Sequence, residues 1–266
     1  MIVEKTILEV AKENPPARPK IPSRCYPQNR LIAVLADSHL GPRDADVEPF
    51  RRALGQMQAR GATALYLLGD VFHYLVADRK FSTPGLLAFV ETIREFRKAG
   101  ARVVYVEGNR DFFLRGSYLE PEFDAVSDRA SFRAGTRSFF LTHGDTLNAR
   151  DWPYRFWRFA SKNRLSWAVM KLLPRSVANR FVASMERRLA DTNFRHKSRL
   201  PVEMIERYAR RRRRDGFDVV LLGHFHEAWS GAWDDAAAEI VPPFLEEKRW
   251  IEIDGEGRTE RIALAP

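Results

Sequence analysis

The sequence predicts an α/β fold, on three observations. Short runs rich in Val, Ile, Leu and aromatic residues recur along the chain, segments with helical apolar spacing lie between them, and Gly, Asp and His cluster where the runs end. The clearest runs cover residues 31–36, 64–68, 102–107, 138–142 and 218–222. Continuous apolarity over so few residues marks strands covered on both faces. The best helix lies between the second and third runs. Thr83 is its N-cap, Pro84 its first helical residue, and Leu86, Phe89, Val90, Ile93 and Phe96 form one apolar stripe that Gly100 closes. Residues 250–253 and 259–264 read as closing strands around a turn at 254–257.

Two segments break this rhythm. Residues 1–29 form an arm, because five prolines between Pro15 and Pro27 prevent a helix and favour extended chain over the surface. Residues 150–214 are mainly helical in pattern with no strand, and are expected to form a cap inserted into a domain of residues 30–266. The cap carries 16 Arg and 3 Lys against 5 acids, a balance of +14, whereas the whole chain sums to +9. Positive charge therefore belongs to this segment and calls for an anionic partner. Trp152, Trp157 and Trp167 are interleaved with it.

Composition excludes several classes. A chain of 266 residues can be one domain with a large core. The lone Cys25 rules out an internal disulfide framework and fits a reducing compartment. No apolar run approaches the roughly 20 residues that span a bilayer, and the first residues mix acids with apolar side chains instead of forming a secretory signal. The expected location is the cytoplasm.

The chemistry sits at the run ends, where α/β sheets bind their ligands. Five short motifs occur there: Asp37-Ser38-His39, Gly69-Asp70, Gly108-Asn109-Arg110-Asp111, His143-Gly144-Asp145 and Gly223-His224-Phe225-His226. They contain four of the six histidines, drawn from points nearly 190 residues apart, and imply one site assembled by the fold. Asp37 and His39 can reach one ion if the chain turns between them. Asp70 follows a glycine and is the natural bridging carboxylate. Asn109 offers an amide oxygen and His143 an imidazole. His224 and His226 straddle one residue, so extended backbone points both the same way. Four imidazoles, two carboxylates and one amide favour Mn²⁺, Fe or Zn²⁺ over Mg²⁺ or Ca²⁺. Two such ions about 3.5–4 Å apart clamp the oxygens of an in-line displacement at phosphorus and activate water. His73 is expected as a wall residue. His196 belongs to the cap.

The order D-x-H, G-D, G-N-x-D, H-G-D, G-H-x-H resembles the calcineurin-like metallophosphoesterase superfamily. That resemblance implies a two-sheet αββα sandwich flanked by helices, with Asp37, His39, Asp70 and His226 on one ion and Asp70, Asn109, His143 and His224 on the other. Asp70, Asn109 and Arg110 are the implied catalytic residues. Most relatives carry His where Arg110 stands; an arginine is no proton donor near neutral pH, but its fork clamps phosphate oxygens. The string His143-Gly144-Asp145-Thr146-Leu147, followed by Asp151, Tyr154 and a basic aromatic insertion, resembles the UDP-2,3-diacylglucosamine diphosphatases of lipid A biosynthesis. These are peripheral membrane enzymes, usually manganese-dependent, that release UMP and 2,3-diacylglucosamine 1-phosphate.

By that resemblance the substrate is a nucleotide-linked lipid, bound by Arg110, Asp151, Tyr154 and Lys197, and the cap docks on the anionic inner face of the cytoplasmic membrane. Trp152, Phe156, Trp157, Phe159, Trp167, Val169, Leu172 and Leu173 would line or flank an acyl chamber. Arg155, Arg158, Arg164, Arg175, Arg180 and the 210–214 cluster would face lipid phosphates. No obligate protein partner is indicated. Two departures stand out: relatives usually continue the second motif with F-E and the last with H-x-H-R-P, whereas this chain reads Phe72-His73-Tyr74 and His224-Phe225-His226-Glu227-Ala228. The alternative readings are a phosphodiesterase or nuclease of the same superfamily, its basic cap gripping nucleic acid, and a metal-binding scaffold without activity.

Overall fold

The apolar runs form the strands at the centre of two six-stranded sheets. The structure is a computed structural model that describes residues 23–26, 30–148, 151–174 and 200–266, with Ser176, Val177, Arg180 and Ser184 between them. The strands are β1 (Ser23–Tyr26), β2 (Leu31–Leu35), β3 (Ala62–Leu67), β4 (Leu75–Val76), β5 (Arg102–Val106), β6 (Asp111–Phe112) and β7 (Ala125–Ser127). They continue as β8 (Ala130–Ala134), β9 (Arg137–Thr142), β10 (Val219–Leu222), β11 (Trp229–Trp233), β12 (Ala236–Ile240), β13 (Arg249–Ile253) and β14 (Thr259–Ala263). The helices are α1 (Glu48–Ala59), α2 (Pro84–Lys98), α3 (Trp152–Ser161), α4 (Arg164–Leu172), α5 (Val202–Arg214) and the short α6 (Phe244–Glu247).

One sheet runs β14-β13-β2-β3-β5-β7 and the other β1-β8-β9-β10-β12-β11, with β4 and β6 paired separately. The parallel neighbours β2, β3 and β5 are covered on both faces, which explains their unbroken apolarity. Alternate residues divide between two cores. Ile32, Val34, Tyr66 and Val104 meet Phe132, Phe139, Leu141 and Val219 between the sheets. Ala33, Leu35, Leu65 and Val103 turn the other way, onto Phe50 and Met57 of α1 and Phe89, Ile93 and Phe96 of α2. On the far face of the second sheet, Ile205 and Ala209 of α5 cover Phe140, Val220 and Leu222. The layers are therefore α, β, β, α, as the family resemblance implies.

α2 matches its expected design, with the Thr83 hydroxyl accepting from the Leu86 N–H at 3.1 Å and Pro84 in the first turn. The arm contributes an unexpected element. Its Ser23–Tyr26 stretch adds β1 as a parallel edge strand on β8. The strands β11 and β12 also escaped the sequence reading, because an Ala-rich run and a Trp-Ser-Gly-Ala-Trp run lack the branched residues that mark strands.

The 150–214 segment divides by environment. α5 is a flanking helix of the sandwich, and its arginines serve the fold: Arg213 pairs with Asp218 and Asp235, and Arg210 with Glu206 and Asp234. Arg212 is buried across the rings of Phe140 and Tyr208 and pairs with Asp215. These three do not stand free to face lipid phosphates. No helix among the described residues is long and apolar enough to cross a membrane.

Candidate metal centre

Each predicted ligand lies in the loop that leaves a strand: Asp37 and His39 after β2, Asp70 after β3, Asn109 after β5, His143 after β9, His224 and His226 after β10. Those strands are neighbours within the two packed sheets, so their ends converge. The backbone bends hard there. Asp37, His39, Asp70, His224 and His226 all adopt positive φ, between 41° and 71°. That conformation is unfavourable for side chains larger than glycine's hydrogen and concentrates at functional sites. It also corrects one expectation: His224 and His226 are not extended, and their rings approach the site through left-handed turns.

Gly69 and Gly108 let the loops meet. A Cβ on Gly69 would lie 2.5 Å from the Gly108 nitrogen, and one on Gly108 would lie 2.3 Å from Asp70 Oδ1. Asp111, which the sequence reading left without a role, ties the same loops together. Its fully buried carboxylate accepts from the Asp70 N–H at 3.0 Å, the Gly108 N–H at 2.7 Å and the Tyr105 hydroxyl at 2.9 Å.

The donor atoms form two groups that share Asp37. Asp37, His39 and His226 offer ligand atoms within 4.8 Å of one another, as do Asp37, Asp70 and His143. His143 Nε2 and His224 Nδ1 each lie 3.0 Å from Asn109 Oδ1, which brings the remaining two predicted ligands to the second group. All seven predicted ligands thus stand together.

The chemistry of this cluster fits cations. His143 Nδ1 donates to the Leu68 carbonyl at 2.7 Å, which leaves Nε2 bare and facing the amide oxygen of Asn109. His226 Nδ1 donates to Glu246 at 2.9 Å, so its Nε2 is bare too and lies 3.2 Å from His39 Nε2. Asp37 Oδ1 and His39 Nδ1 are buried without hydrogen-bond partners. Buried lone pairs facing one another are costly unless something positive lies between them.

The titration behaviour agrees. Burial, with Asp70 beside it, pushes the Asp37 carboxyl well above the usual range. Burial also raises Asp70, against the pull of Arg110 and His224. Burial lowers His39 to about 2, helped by the neighbouring Arg110 and His226, and lowers His224 to about 4, helped by His143. Unprotonated imidazoles beside carboxylates that resist ionisation make a site that a divalent cation would satisfy.

Around the ligands, Arg110 lies over Asp70, with Nε 3.4 Å from Oδ2 and its own backbone N–H donating to Oδ1 at 2.8 Å. His73 stacks on His39, with centroids 5.6 Å apart, and forms a wall as expected. Asp151 caps α3 by accepting from the Tyr154 N–H at 3.0 Å. The Tyr154 hydroxyl and the Arg158 guanidinium both donate to the buried Asp145 of the fourth motif. Arg158 is accordingly turned inward, not toward a lipid surface. Lys162, at the other end of α3, donates to the Gly108 carbonyl. One cap helix is thus fastened to two ligand loops. Lys197, Arg175 and His196 lie outside the described residues.

Between the cap and those loops is a cavity of about 1010 Å³. Phe113, Phe159 and Trp167 line it together with Arg115, Arg158 and Lys162. Trp167 also meets Phe113 edge-on at 4.8 Å, and Trp157 meets Phe112 at 6.0 Å. In contrast, Trp152, Phe156, Leu165 and Leu172 point outward, each at least 71% exposed.

Several known proteins resemble this chain. The chain is 27% identical to a UDP-2,3-diacylglucosamine hydrolase of Pseudomonas syringae pv. tomato, covering 85% of this chain and 93% of that one. It is 27% identical to the enzyme of that name in Pseudomonas fluorescens, covering 89% and 95%. A solved archaeal phosphodiesterase superposes with a TM-score of 0.48 at 16% identity, over 88% of this chain and 99% of that one. A model of the calcineurin-like phosphoesterase family matches residues 30–228, well over half of the chain. The chain therefore belongs to the calcineurin-like phosphoesterase family and is a metal-dependent phosphoesterase, with candidate metal-binding clusters at its strand ends.

Proposed function

We propose that the protein hydrolyses UDP-2,3-diacylglucosamine to UMP and 2,3-diacylglucosamine 1-phosphate, a step of lipid A biosynthesis, with manganese in its metal centre. The observation that carries this reading is the 1010 Å³ cavity that adjoins the metal loops. Its aromatic walls suit acyl chains, and its Arg115, Arg158 and Lys162 suit the phosphate that the lipid half retains. The relatives named above point to the same substrate.

Bound at the seven ligands, two divalent ions would neutralise charge on the phosphate oxygens and activate water. The protein's own contribution is position. Asp70, drawn into place by Asp111 and the Arg110 backbone, and Asn109 would be among the residues that hold the ions. Arg110, already poised above Asp70, would clamp a non-bridging oxygen of the pyrophosphate without serving as a proton donor. Tyr154 would act through Asp145 by holding the cap helix over the cavity, and Asp151 by capping that helix. Lys197 is proposed as a further substrate contact.

The outward side chains of α3 and α4 support a place on a membrane. Trp152, Phe156, Phe159, Leu165 and Leu172 give two consecutive helices an apolar outer face, and Arg155, Arg164 and Lys171 belong to the same helices. Amphipathic basic helices of this kind lie in the headgroup region of anionic bilayers. The protein is accordingly read as cytoplasmic and peripheral on the inner face of the cytoplasmic membrane, taking its substrate directly from the bilayer.

The test is Mn²⁺-dependent release of UMP from UDP-2,3-diacylglucosamine in detergent micelles, with Asp70→Asn as the blank. Release that the variant loses supports the reading. A folded, metal-loaded protein that releases no UMP from this lipid rejects it and redirects the search to other nucleotide-lipids and phosphodiesters.

A further inference from the structure

A second cavity, which shares no lining residue with the first, opens at the metal centre. It measures about 370 Å³, and His39, one of the ligands, forms part of its wall. Ser38, Arg43, His73, Leu245 and Lys248 also line it. Whatever occupies this space therefore touches a predicted metal ligand, whereas the larger cavity borders the ligand loops through Glu107 and Thr146.

Lys248 is the informative residue. It follows α6 with φ at 52° and ψ at 43°, a left-handed conformation where a helix ordinarily ends in glycine. Its backbone is held on both sides: its N–H donates to the Phe244 carbonyl at 3.1 Å, and its carbonyl accepts from the Leu264 N–H at 2.8 Å. A lysine kept in a glycine conformation by its surroundings is the kind of outlier that points to use of the side chain. The ammonium lies 5.4 Å from the centre of the Phe244 ring and donates one hydrogen bond, to the Leu245 carbonyl at 2.7 Å. An ammonium has three hydrogens to give. Beside it, the Ser38 hydroxyl is buried without a hydrogen-bond partner.

An anhydride has a substituent on each side of its bridging oxygen. If the reacting phosphorus lies at the metal centre, the two substituents leave in different directions and need two spaces. The large aromatic and basic cavity suits the diacylated half. The smaller one is too small for two acyl chains but falls within the usual range for a compact polar ligand. We propose that this second cavity is the subsite for the nucleoside monophosphate half of the substrate, with Lys248 donating to its ribose or base oxygens. The inference rests on the substrate class read above.

The experiment measures binding of UMP, and separately of inorganic phosphate, to the full-length metal-loaded protein by calorimetry. Two variants accompany the wild type. Lys248→Gly removes the ammonium while giving the backbone the residue its conformation prefers, so its thermal midpoint should not fall. Leu245→Trp fills the cavity without altering charge. Both should weaken UMP binding by about ten-fold or more and leave phosphate binding unchanged. Equal UMP affinity in all three proteins overturns the proposal. Parallel loss of UMP and phosphate also overturns it, because Lys248 would then supply only general positive charge to the metal centre. Lipid hydrolysis by the wild type is read independently. UMP release from the lipid with unchanged UMP affinity in the variants leaves the function standing and removes the subsite. No release from the lipid, with UMP affinity lost in both variants, does the reverse.

Discussion

His226 Nδ1 lies 2.9 Å from Glu246 Oε1, although His226 follows β10 and Glu246 belongs to α6. A carboxylate only accepts, so the hydrogen sits on Nδ1 and the ring presents Nε2 to the metal centre. Orienting partners of this kind commonly govern metal affinity as strongly as a weak ligand does. Glu246→Ala should therefore weaken metal binding by about 10–100-fold, measured by competition with a chelating dye. Glu246→Gln keeps an accepting oxygen and should retain most of the affinity. Equal affinity in all three proteins would show that His226 is held by its own backbone turn.

Gly69 has φ at +76°, and an added Cβ would press on the Gly108 nitrogen and on His143 Nδ1. Gly69→Ala should lower stability by more than about 1 kcal/mol and push His143 out of line. Metal content of the purified protein, measured by mass spectrometry, should fall with it. A fully loaded variant would mean that the loops yield more easily than the close backbone contact implies.

Asp145 receives both Tyr154 and Arg158 in a largely buried cluster. Burial alone would raise its carboxyl, but Arg158, His143 and His224 together bring it below its ordinary value. Asp145→Ala strands the arginine and should cost about 3–5 kcal/mol in chemical denaturation. Asp145→Ala with Arg158→Met should recover part of that loss. A double variant no better than the single one would remove the buried charge as the cause.

Removing the metals should expose the titration of the carboxylates. Asp37 is raised well above its ordinary value by burial and by Asp70, so in the metal-free site it binds a proton that a cation must displace. His39 and His224, held near 2 and 4, are already neutral and release none. Metal affinity should therefore keep climbing as pH rises through the raised Asp37 titration, with proton release visible in buffers of different ionisation enthalpy. An affinity that levels off by about pH 5, one unit above an ordinary aspartate, would be the contrary result.

The apolar outer face of α3 and α4 predicts membrane binding. Trp152→Ser combined with Phe156→Ser and Leu172→Ser should abolish co-sedimentation with vesicles containing anionic lipid. Hydrolysis of a small soluble phosphodiester should be unchanged. Vesicle binding that survives all three changes would assign docking to another surface.

Much of the architecture was legible because its causes are local. Unbroken apolarity in β2, β3 and β5 marks strands with two covered faces, and the Thr83-Pro84 start and Gly100 stop frame α2 without reference to anything distant. The ligands were legible for a related reason. Metal chemistry restricts residue types so tightly that five short His- and Asp-bearing strings, each after an apolar run, form a pattern that little besides a shared metal site produces. The glycines among them announced close approach, and the close approach exists.

Long-range relations left no such mark. Glu246 is one acid of a Phe-Leu-Glu-Glu helix and becomes the partner of His226 only because the loops before β13 and after β10 fold together. Arg158 read as a lipid-facing charge and Lys162 carried no distinctive signal, yet they fasten α3 to Asp145 and to the Gly108 carbonyl. Arg210, Arg212 and Arg213 read as a membrane-facing cluster, yet they pair with acids and rings of the sandwich. By itself the sequence determined the alternation of strands and helices and the ligand identities, since propensity, burial period and coordination chemistry act residue by residue. Which charge pairs with which, and which residues line each cavity, only the tertiary structure decided, because those outcomes depend on distances between segments that sequence order does not encode.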